Sequence, residues 1–84
     1  MTRFNKLLDQ LLRGTSDKSF EFDDLRHILL RLGFAERTKG GHHIFDKAGV
    51  TELVNLQRSG KEAKAYQVRQ VRDLIHRYRL FEEE

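Results

Sequence analysis

The sequence predicts one small domain of the α+β class, residues 1–84, with the order helix, helix, strand, strand, strand, helix. Apolar residues recur at helical spacing near both ends of the chain. The middle alternates with a period of two around a glycine pair that is typical of a hairpin. Three consecutive antiparallel strands form a meander, which needs helices on only one face. We therefore expect a three-stranded antiparallel sheet with helices on one face and with its other face open to solvent or to a ligand.

The N-terminal helix is predicted over residues 2–13. Thr2 is a suitable N-cap, and Gly14 stands where a left-handed residue commonly ends a helix. Apolar residues at positions i, i+3, i+4, i+7 and i+8 give the stripe of an amphipathic helix: Phe4, Leu7, Leu8, Leu11 and Leu12.

A second helix begins at Asp23 and Asp24, whose carboxylates suit the positive end of the helix dipole, and it ends at Gly33. The period of the sequence then changes to that of strands. The predicted strands are residues 34–39, 42–46 and 51–57, followed by a predicted loop over residues 58–65.

The last helix is predicted over residues 67–78, where apolar residues again recur at helical spacing. Basic residues on the opposite side of this helix step by three, four and three positions, which predicts a basic stripe on an exposed face. The stripe consists of Arg69, Arg72, His76 and Arg79.

Positive charge is concentrated in the second half of the chain. Residues 1–36 carry six basic and six acidic side chains, whereas residues 37–80 carry ten basic and four acidic ones, a balance of +6. An acidic tail, residues 81–84, contributes three glutamates. Such an asymmetry is typical of a protein that binds a polyanion.

The composition excludes several classes of protein. The chain contains no cysteine, so it has neither disulfides nor thiolate zinc sites, as is usual in a reducing compartment. Its longest apolar run, residues 28–30, is far shorter than the roughly 20 residues of a membrane span, and its N-terminus lacks the hydrophobic region of a signal peptide. We expect a soluble cytoplasmic protein with no membrane partner.

The segment Gly40-Gly41-His42-His43 is the strongest indication of a functional site. Strand alternation places His42 on the face opposite to that of His43 and Phe45. Because Phe45 is the better core residue, His42 is expected on the open face, as a catalytic or a merely exposed residue, and His43 is expected to be structural. Two histidines that point in opposite directions do not chelate one metal, so we expect no metal and no cofactor.

The residue types near His42 favour metal-independent cleavage of RNA. No cluster of carboxylates is available to hold Mg²⁺ for phosphodiester cleavage. A histidine, with its ordinary pKa of about 6.5, accepts a proton from a ribose 2′-hydroxyl, and basic groups stabilise the phosphorane-like transition state. The group that protonates the leaving oxygen stays open between Lys39, Lys64, Tyr66 and His42 itself. The residues expected to contact the substrate are Lys39, Gly40, Gly41, Lys61, Lys64 and Arg69.

Several segments together resemble the HicA family of bacterial toxins. They are Asp24-Leu25 through Leu32-Gly33-Phe34, Arg37-Thr38-Lys39-Gly40-Gly41-His42-His43-Ile44-Phe45, Leu53-Val54-Asn55-Leu56-Gln57, and Tyr66-Gln67-Val68-Arg69-Gln70-Val71 after a Lys/Gly loop. The resemblance covers residues 22–78 as the core of the domain, to which residues 1–14 add an extra helix.

The resemblance implies a fold similar to a double-stranded-RNA-binding domain. It also implies that the chain is the toxin of a type II toxin–antitoxin pair, an mRNA interferase whose catalytic histidine is His42. A cognate HicB-like antitoxin would cover the active site. The chain departs from the family pattern at Gly41, where the family has serine, and at Ala65, where the family often has proline before the last helix.

Two other functions are compatible with the sequence. The same basic face would suit an RNA-binding module without catalytic activity, and the helices and the acidic tail would suit an adaptor that binds another protein. A shallow site on a small domain favours weak sequence preference for RNA. Phe20, Phe22 and Phe81 are predicted to give spare apolar surface, which leaves a homo-oligomer possible.

Overall fold

The structure is a computed structural model that describes residues 2–82. It is an α+β fold with three α-helices, α1 (Arg3–Arg13), α2 (Phe22–Arg31) and α3 (Ala65–Tyr78). The strands are β1 (Ala35–Lys39), β2 (His42–Lys47), β3 (Val50–Ser59) and β4 (Glu62–Ala63). Two 3₁₀ turns, Asp17–Ser19 and Leu80–Glu82, complete the order, and residues 83–84 of the predicted acidic tail lie outside the described residues.

The ends of α1 are those that the sequence predicts. The hydroxyl of Thr2 accepts a hydrogen bond from the backbone N–H of Asn5 at 3.1 Å, which satisfies one of the unpaired donors in the first turn. At the other end Gly14 adopts a φ of 72°, and its N–H donates to the carbonyl of Leu11. The capping predictions for α1 are therefore confirmed.

The sheet has four antiparallel strands in the order β1-β2-β3-β4, so the expectation of three strands is wrong. The predicted loop over residues 58–65 contains the end of β3, a turn at residues 60–61, and β4. The segment that leads into α2, residues 20–22, stabilises β4. Ala63 N–H donates to the Phe20 carbonyl at 2.9 Å, and Phe22 N–H donates to the Lys61 carbonyl at 3.0 Å. This pairing brings together residues about forty positions apart, and no local pattern in the sequence indicates it.

One face of the sheet packs against the helices. Phe45, Val54 and Leu56 are fully buried on this face, and they belong to a single core cluster that also contains the apolar sides of all three helices. The opposite face carries exposed side chains, including those of His42 and Asn55. The predicted division of the sheet into a covered and an open face is confirmed.

Two of the three phenylalanines expected at the surface are core residues. Phe20 is 1% and Phe22 0% exposed, because the segment that carries them pairs with β4 and turns their rings inward. The guanidinium of Arg58 lies over the Phe22 ring, 4.4 Å from the ring centroid. Phe81, at 40% exposed, does lie at the surface.

The predicted basic stripe on α3 is interrupted at Arg72. Its guanidinium forms two hydrogen bonds with the carboxylate of Asp17, at 2.8 and 3.0 Å, and a third with the carbonyl of Leu11 at 3.3 Å. The hydrogen bonds to Asp17 raise the pKa of Arg72 above its ordinary value. Arg72 therefore joins α3 to the connection after α1, and the expectation that it lies on an exposed basic face is wrong.

None of the helices within residues 2–82 has the length and apolar character required to cross a membrane.

Candidate functional site

The β1–β2 hairpin positions His42 at the start of β2, on the open face of the sheet. The turn consists of Gly40, with a φ of 60°, and Gly41, whose φ is not positive, which is the pattern of a type II′ turn. Lys39 lies directly opposite His42 on β1, and Gln57 lies directly opposite it on β3. Side chains of directly opposed residues share a face and have Cβ atoms about 4.5–5.5 Å apart. Lys39, His42 and Gln57 therefore form a row across the sheet.

The imidazole of His42 is oriented by Asn55, its diagonal neighbour on β3. Nδ1 of His42 lies 3.1 Å from Oδ1 of Asn55. An amide oxygen accepts hydrogen bonds and does not donate them, so in this arrangement Nδ1 carries the proton and donates. Nε2 then holds the lone pair of the neutral ring. This tautomer makes Nε2 the proton acceptor, as a general base requires.

A hollow of about 280 Å³ lies beside His42, between the open face of β3 and the first turns of α3. Most of its lining consists of uncharged polar side chains, together with one aliphatic and one aromatic residue. The lining residues are His42, Leu53, Asn55, Gln57, Tyr66, Gln67 and Gln70.

Gln67 attaches α3 to β3 at this hollow. Its side chain is 3% exposed; Oε1 accepts from the backbone N–H of Gln57 at 3.3 Å, and Nε2 donates to the carbonyl of Asn55 at 3.4 Å. Nε2 also lies 3.4 Å from the hydroxyl of Tyr66. A buried amide with its donors and acceptors satisfied fixes the relative positions of the elements that it joins. Gln67 thereby holds Tyr66 beside the strand that carries Asn55 and Gln57.

The structure brings some of the predicted substrate-binding residues to His42 and leaves others apart. Lys39 lies opposite His42, with Gly40 and Gly41 in the adjoining turn. Nζ of Lys64 donates to Oε1 of Gln57 at 3.4 Å, which places its charge next to the same row.

Lys61 and Arg69 lie farther from His42. Lys61 occupies the β3–β4 turn, beyond the end of the β1–β2 hairpin. Arg69 lines a second hollow of about 430 Å³ that the carboxylates of Glu52 and Asp73 also line. Arg69 is exposed, and its guanidinium has no ion pair with any residue in the described range 2–82.

His43 faces the other side of the sheet, as alternation predicts. Its ring packs edge-on against Phe22 with centroids 4.8 Å apart, and Nδ1 lies 2.9 Å from Oε2 of Glu36. Glu36 also receives hydrogen bonds from Nε of Arg26 at 2.8 Å. The bonds from Arg26 first, and then that from His43, hold the pKa of the Glu36 carboxyl below its ordinary value. His43 is thus engaged in a structural contact between β1, β2 and α2.

Asn55, Gln57, Gln67 and Gln70 are site residues that the sequence interpretation omits. The alternation in β3, where Asn55 and Gln57 alternate with the buried Val54 and Leu56, does indicate that both face the open side. Their position beside His42 depends on the register between β2 and β3, which the sequence does not fix.

Among residues 2–82, no group of three or more histidine, aspartate or glutamate side chains is placed to hold a metal ion. Comparison of the chain with protein-family models, with curated proteins and with solved structures found no match.

Proposed function

We propose that this protein is an endoribonuclease in which Nε2 of His42 acts on the 2′-hydroxyl of RNA. The observation that carries the proposal is the hydrogen bond between Nδ1 of His42 and Oδ1 of Asn55, on an exposed face flanked by two lysines. This arrangement supplies an oriented proton acceptor beside positive charge. Cleavage of RNA through its own 2′-hydroxyl requires those two features.

The chemical step is an internal transfer of the phosphoryl group. Nε2 takes the proton of the 2′-hydroxyl as the 2′ oxygen forms a bond to phosphorus and the bond from phosphorus to the 5′ oxygen breaks. The products are a 2′,3′-cyclic phosphate and a 5′-hydroxyl, the latter formed when a second group gives its proton to the leaving oxygen. Lys39 and Lys64 flank His42, and Tyr66 lines the same hollow, so each is a candidate for this second group.

Positive charge is expected to act on the transition state more than on the ground state. A phosphorane-like transition state carries one more negative charge on its phosphoryl oxygens than the phosphodiester does. An ammonium within a few ångströms of these oxygens stabilises the added charge. Asn55 acts as a positioning residue, since it contacts His42 and holds the ring in the required tautomer.

The biological setting that we propose is that of a toxin. The resemblance of residues 22–78 to the HicA family supports an mRNA interferase in the cytoplasm, with a HicB-like antitoxin bound over His42. An exposed catalytic histidine in a shallow hollow suits inhibition by a protein that covers it, because the partner needs no deep channel.

A non-catalytic RNA-binding module is the second candidate. The observation that favours it is that His42 is the one histidine among residues 2–82 on the open face, since His43 packs against Phe22. A site with a single histidine has no second imidazole to protonate the leaving 5′ oxygen.

Incubation of the purified protein with single-stranded RNA tests the proposal. We expect cleavage by the wild type with and without EDTA, and a loss of roughly a hundredfold or more in the His42→Ala variant, as is typical of a general base. His76→Ala is the matched control, because His76 lies on α3 outside the hollow and packs on Phe81. Equal cleavage by the His42→Ala variant, or no cleavage by the wild type, would refute catalysis by His42. RNA binding without cleavage would support the second candidate.

A further inference from the structure

The hollow beside His42 differs in character from the charged surface around it. Two large exposed apolar side chains line it: Leu53, which is 54% exposed, and Tyr66, which is 56% exposed. Most of the remaining lining consists of amides, which carry hydrogen-bonding groups but no charge. A phosphate needs positive charge, whereas a nucleobase needs a flat apolar surface and neutral donors and acceptors.

Several amide groups in the hollow are available to a ligand. Asn55 engages its oxygen with His42, which leaves its NH₂ group unused, and Gln57 engages its oxygen with Lys64 in the same way. Gln70 makes no hydrogen bond with any described residue, although it lines the hollow. The hydroxyl of Tyr66 lies 3.4 Å from Nε2 of Gln67, so this buried amide anchors one end of the ring while most of the side chain stays exposed.

The neighbouring hollow of about 430 Å³ shares Tyr66 and Gln70 with this one, but its remaining lining is mostly charged. Arg69 and Arg77 line it together with Glu52 and Asp73, so its charges balance, and Arg77 already pairs with Glu52. A phosphate chain therefore gains little by running along α3 toward the C-terminus. Positive charge lies at both ends of the row that contains His42: Lys39 is opposite His42 on β1, and Lys64 is beside Gln57.

Building on the function proposed above, we propose that this hollow is a nucleobase subsite next to the cleaved phosphate. The ring of Tyr66 stacks on the base, and the amide of Gln70 hydrogen-bonds with the base edge. Lys39 contacts the phosphate on the side of His42 away from the hollow, and Lys64, which bonds to Gln57, contacts the phosphate on the side of the hollow. The volume of about 280 Å³ is slightly smaller than that of pockets for drug-sized ligands and suits one base. The consequence is a preference among nucleotides at one position, in contrast to the weak preference expected from the sequence.

Binding of short RNA to a His42→Ala protein tests the subsite without cleavage. The probes are a fluorescently labelled single-stranded hexanucleotide and the same oligomer with all bases removed. We expect Tyr66→Ala to weaken binding of the base-bearing probe by roughly fivefold or more, which is the loss typical of one aromatic stacking contact. Binding of the abasic probe should not change. Tyr66→Phe keeps the ring but loses the hydroxyl that Gln67 contacts, so it should bind the base-bearing probe more tightly than Tyr66→Ala does and leave binding of the abasic probe unchanged.

The controls use the same substitutions outside the hollow. Phe81→Ala removes another exposed aromatic ring, and Gln10→Ala removes a glutamine on α1; neither should change binding of either probe. Gln70→Ala should alter the ranking of the four homopolymeric hexanucleotides and leave the abasic probe unaffected. Circular dichroism of each variant establishes that it is folded.

The outcomes separate this inference from the proposed catalysis. If the wild type cleaves RNA but Tyr66→Ala weakens both probes equally or neither, the base subsite is wrong and the nuclease stands. If the wild type does not cleave but Tyr66→Ala selectively weakens the base-bearing probe, the subsite stands and catalysis is wrong. If neither probe binds the parent protein, the subsite is overturned.

Discussion

Arg72→Gln removes the side chain that joins α3 to the N-terminal part of the chain. Its guanidinium forms two hydrogen bonds with Asp17 and one with the carbonyl of Leu11. The substitution leaves the carboxylate of Asp17 without its charged partner in a site where water reaches little of it. A shorter neutral amide does not restore the paired geometry of the guanidinium and carboxylate.

The exposed fractions of the two side chains set the magnitude of the effect. They are 17% for Arg72 and 15% for Asp17, so the pair lies between an exposed ion pair and a fully buried one. Exposed pairs contribute about 0–1 kcal/mol, and loss of one partner from a buried pair costs about 3–5 kcal/mol. We therefore expect Arg72→Gln to lower the free energy of unfolding by about 2 kcal/mol, which for a domain of this size corresponds to a Tm lower by roughly 8–16 °C.

Urea unfolding followed by circular dichroism measures this loss. Arg69→Gln is the matched control, because Arg69 lies one turn earlier on α3, is exposed and makes no ion pair with the described residues. Its free energy of unfolding should stay within about 0.5 kcal/mol of the wild type. If Arg72→Gln loses no more stability than Arg69→Gln, the joining role of Arg72 is refuted. A double-mutant cycle with Asp17→Asn should show coupling of about 1 kcal/mol or more.

Three further substitutions give distinct results. Gly41→Ser should keep the fold and its stability, because the φ of Gly41 is not positive and a Cβ there meets no described atom closer than 3.9 Å. Gly40→Ser should lower the stability, because Gly40 has a φ of 60°. Equal urea midpoints for the two variants would contradict this difference. The pKa of Glu36 is held below its ordinary value of 4.5, mainly by Arg26, so the stability it contributes is present above that pH and is lost below it. Glu36→Gln should therefore flatten the loss of stability with falling pH below 4.5, and an unchanged slope would contradict this. Asn55→Asp places a carboxylate beside the imidazole of His42 and favours its protonated form, so the acidic limb of the pH profile of RNA cleavage should move to higher pH. If the rate falls but the limb does not move, the role of Asn55 is structural.

The elements that the sequence predicts well are those determined by local contacts. The cap at Thr2, the left-handed Gly14 and the hairpin at residues 40–41 depend on neighbouring residues, and the structure contains each of them. The sequence does not indicate the short strand β4, because two residues are too few to show an alternating pattern. Its pairing with β3 is a local hairpin, but its pairing with the segment around Phe20 is a tertiary interaction.

The site was predictable only in part for the same reason. Alternation along β2 places His42 on the open face, and the structure agrees. The contact with Asn55 depends on the register of β2 against β3, and the pairing of Arg72 joins residues 55 positions apart. An arginine that a helical projection places on an exposed stripe can thus be engaged by a distant carboxylate.

Cleavage of an RNA with one 2′-deoxy nucleotide tests whether the 2′-hydroxyl attacks the phosphorus. The cleavage site of an unmodified oligonucleotide is mapped first, and the 2′-hydroxyl on the 5′ side of that phosphate is then replaced by hydrogen. Mass spectrometry of the products should show a 2′,3′-cyclic phosphate from the unmodified RNA and no cut at that position in the modified one. Continued cutting there, or products without the cyclic phosphate from the first turnover onward, would contradict proton transfer from the 2′-hydroxyl to His42.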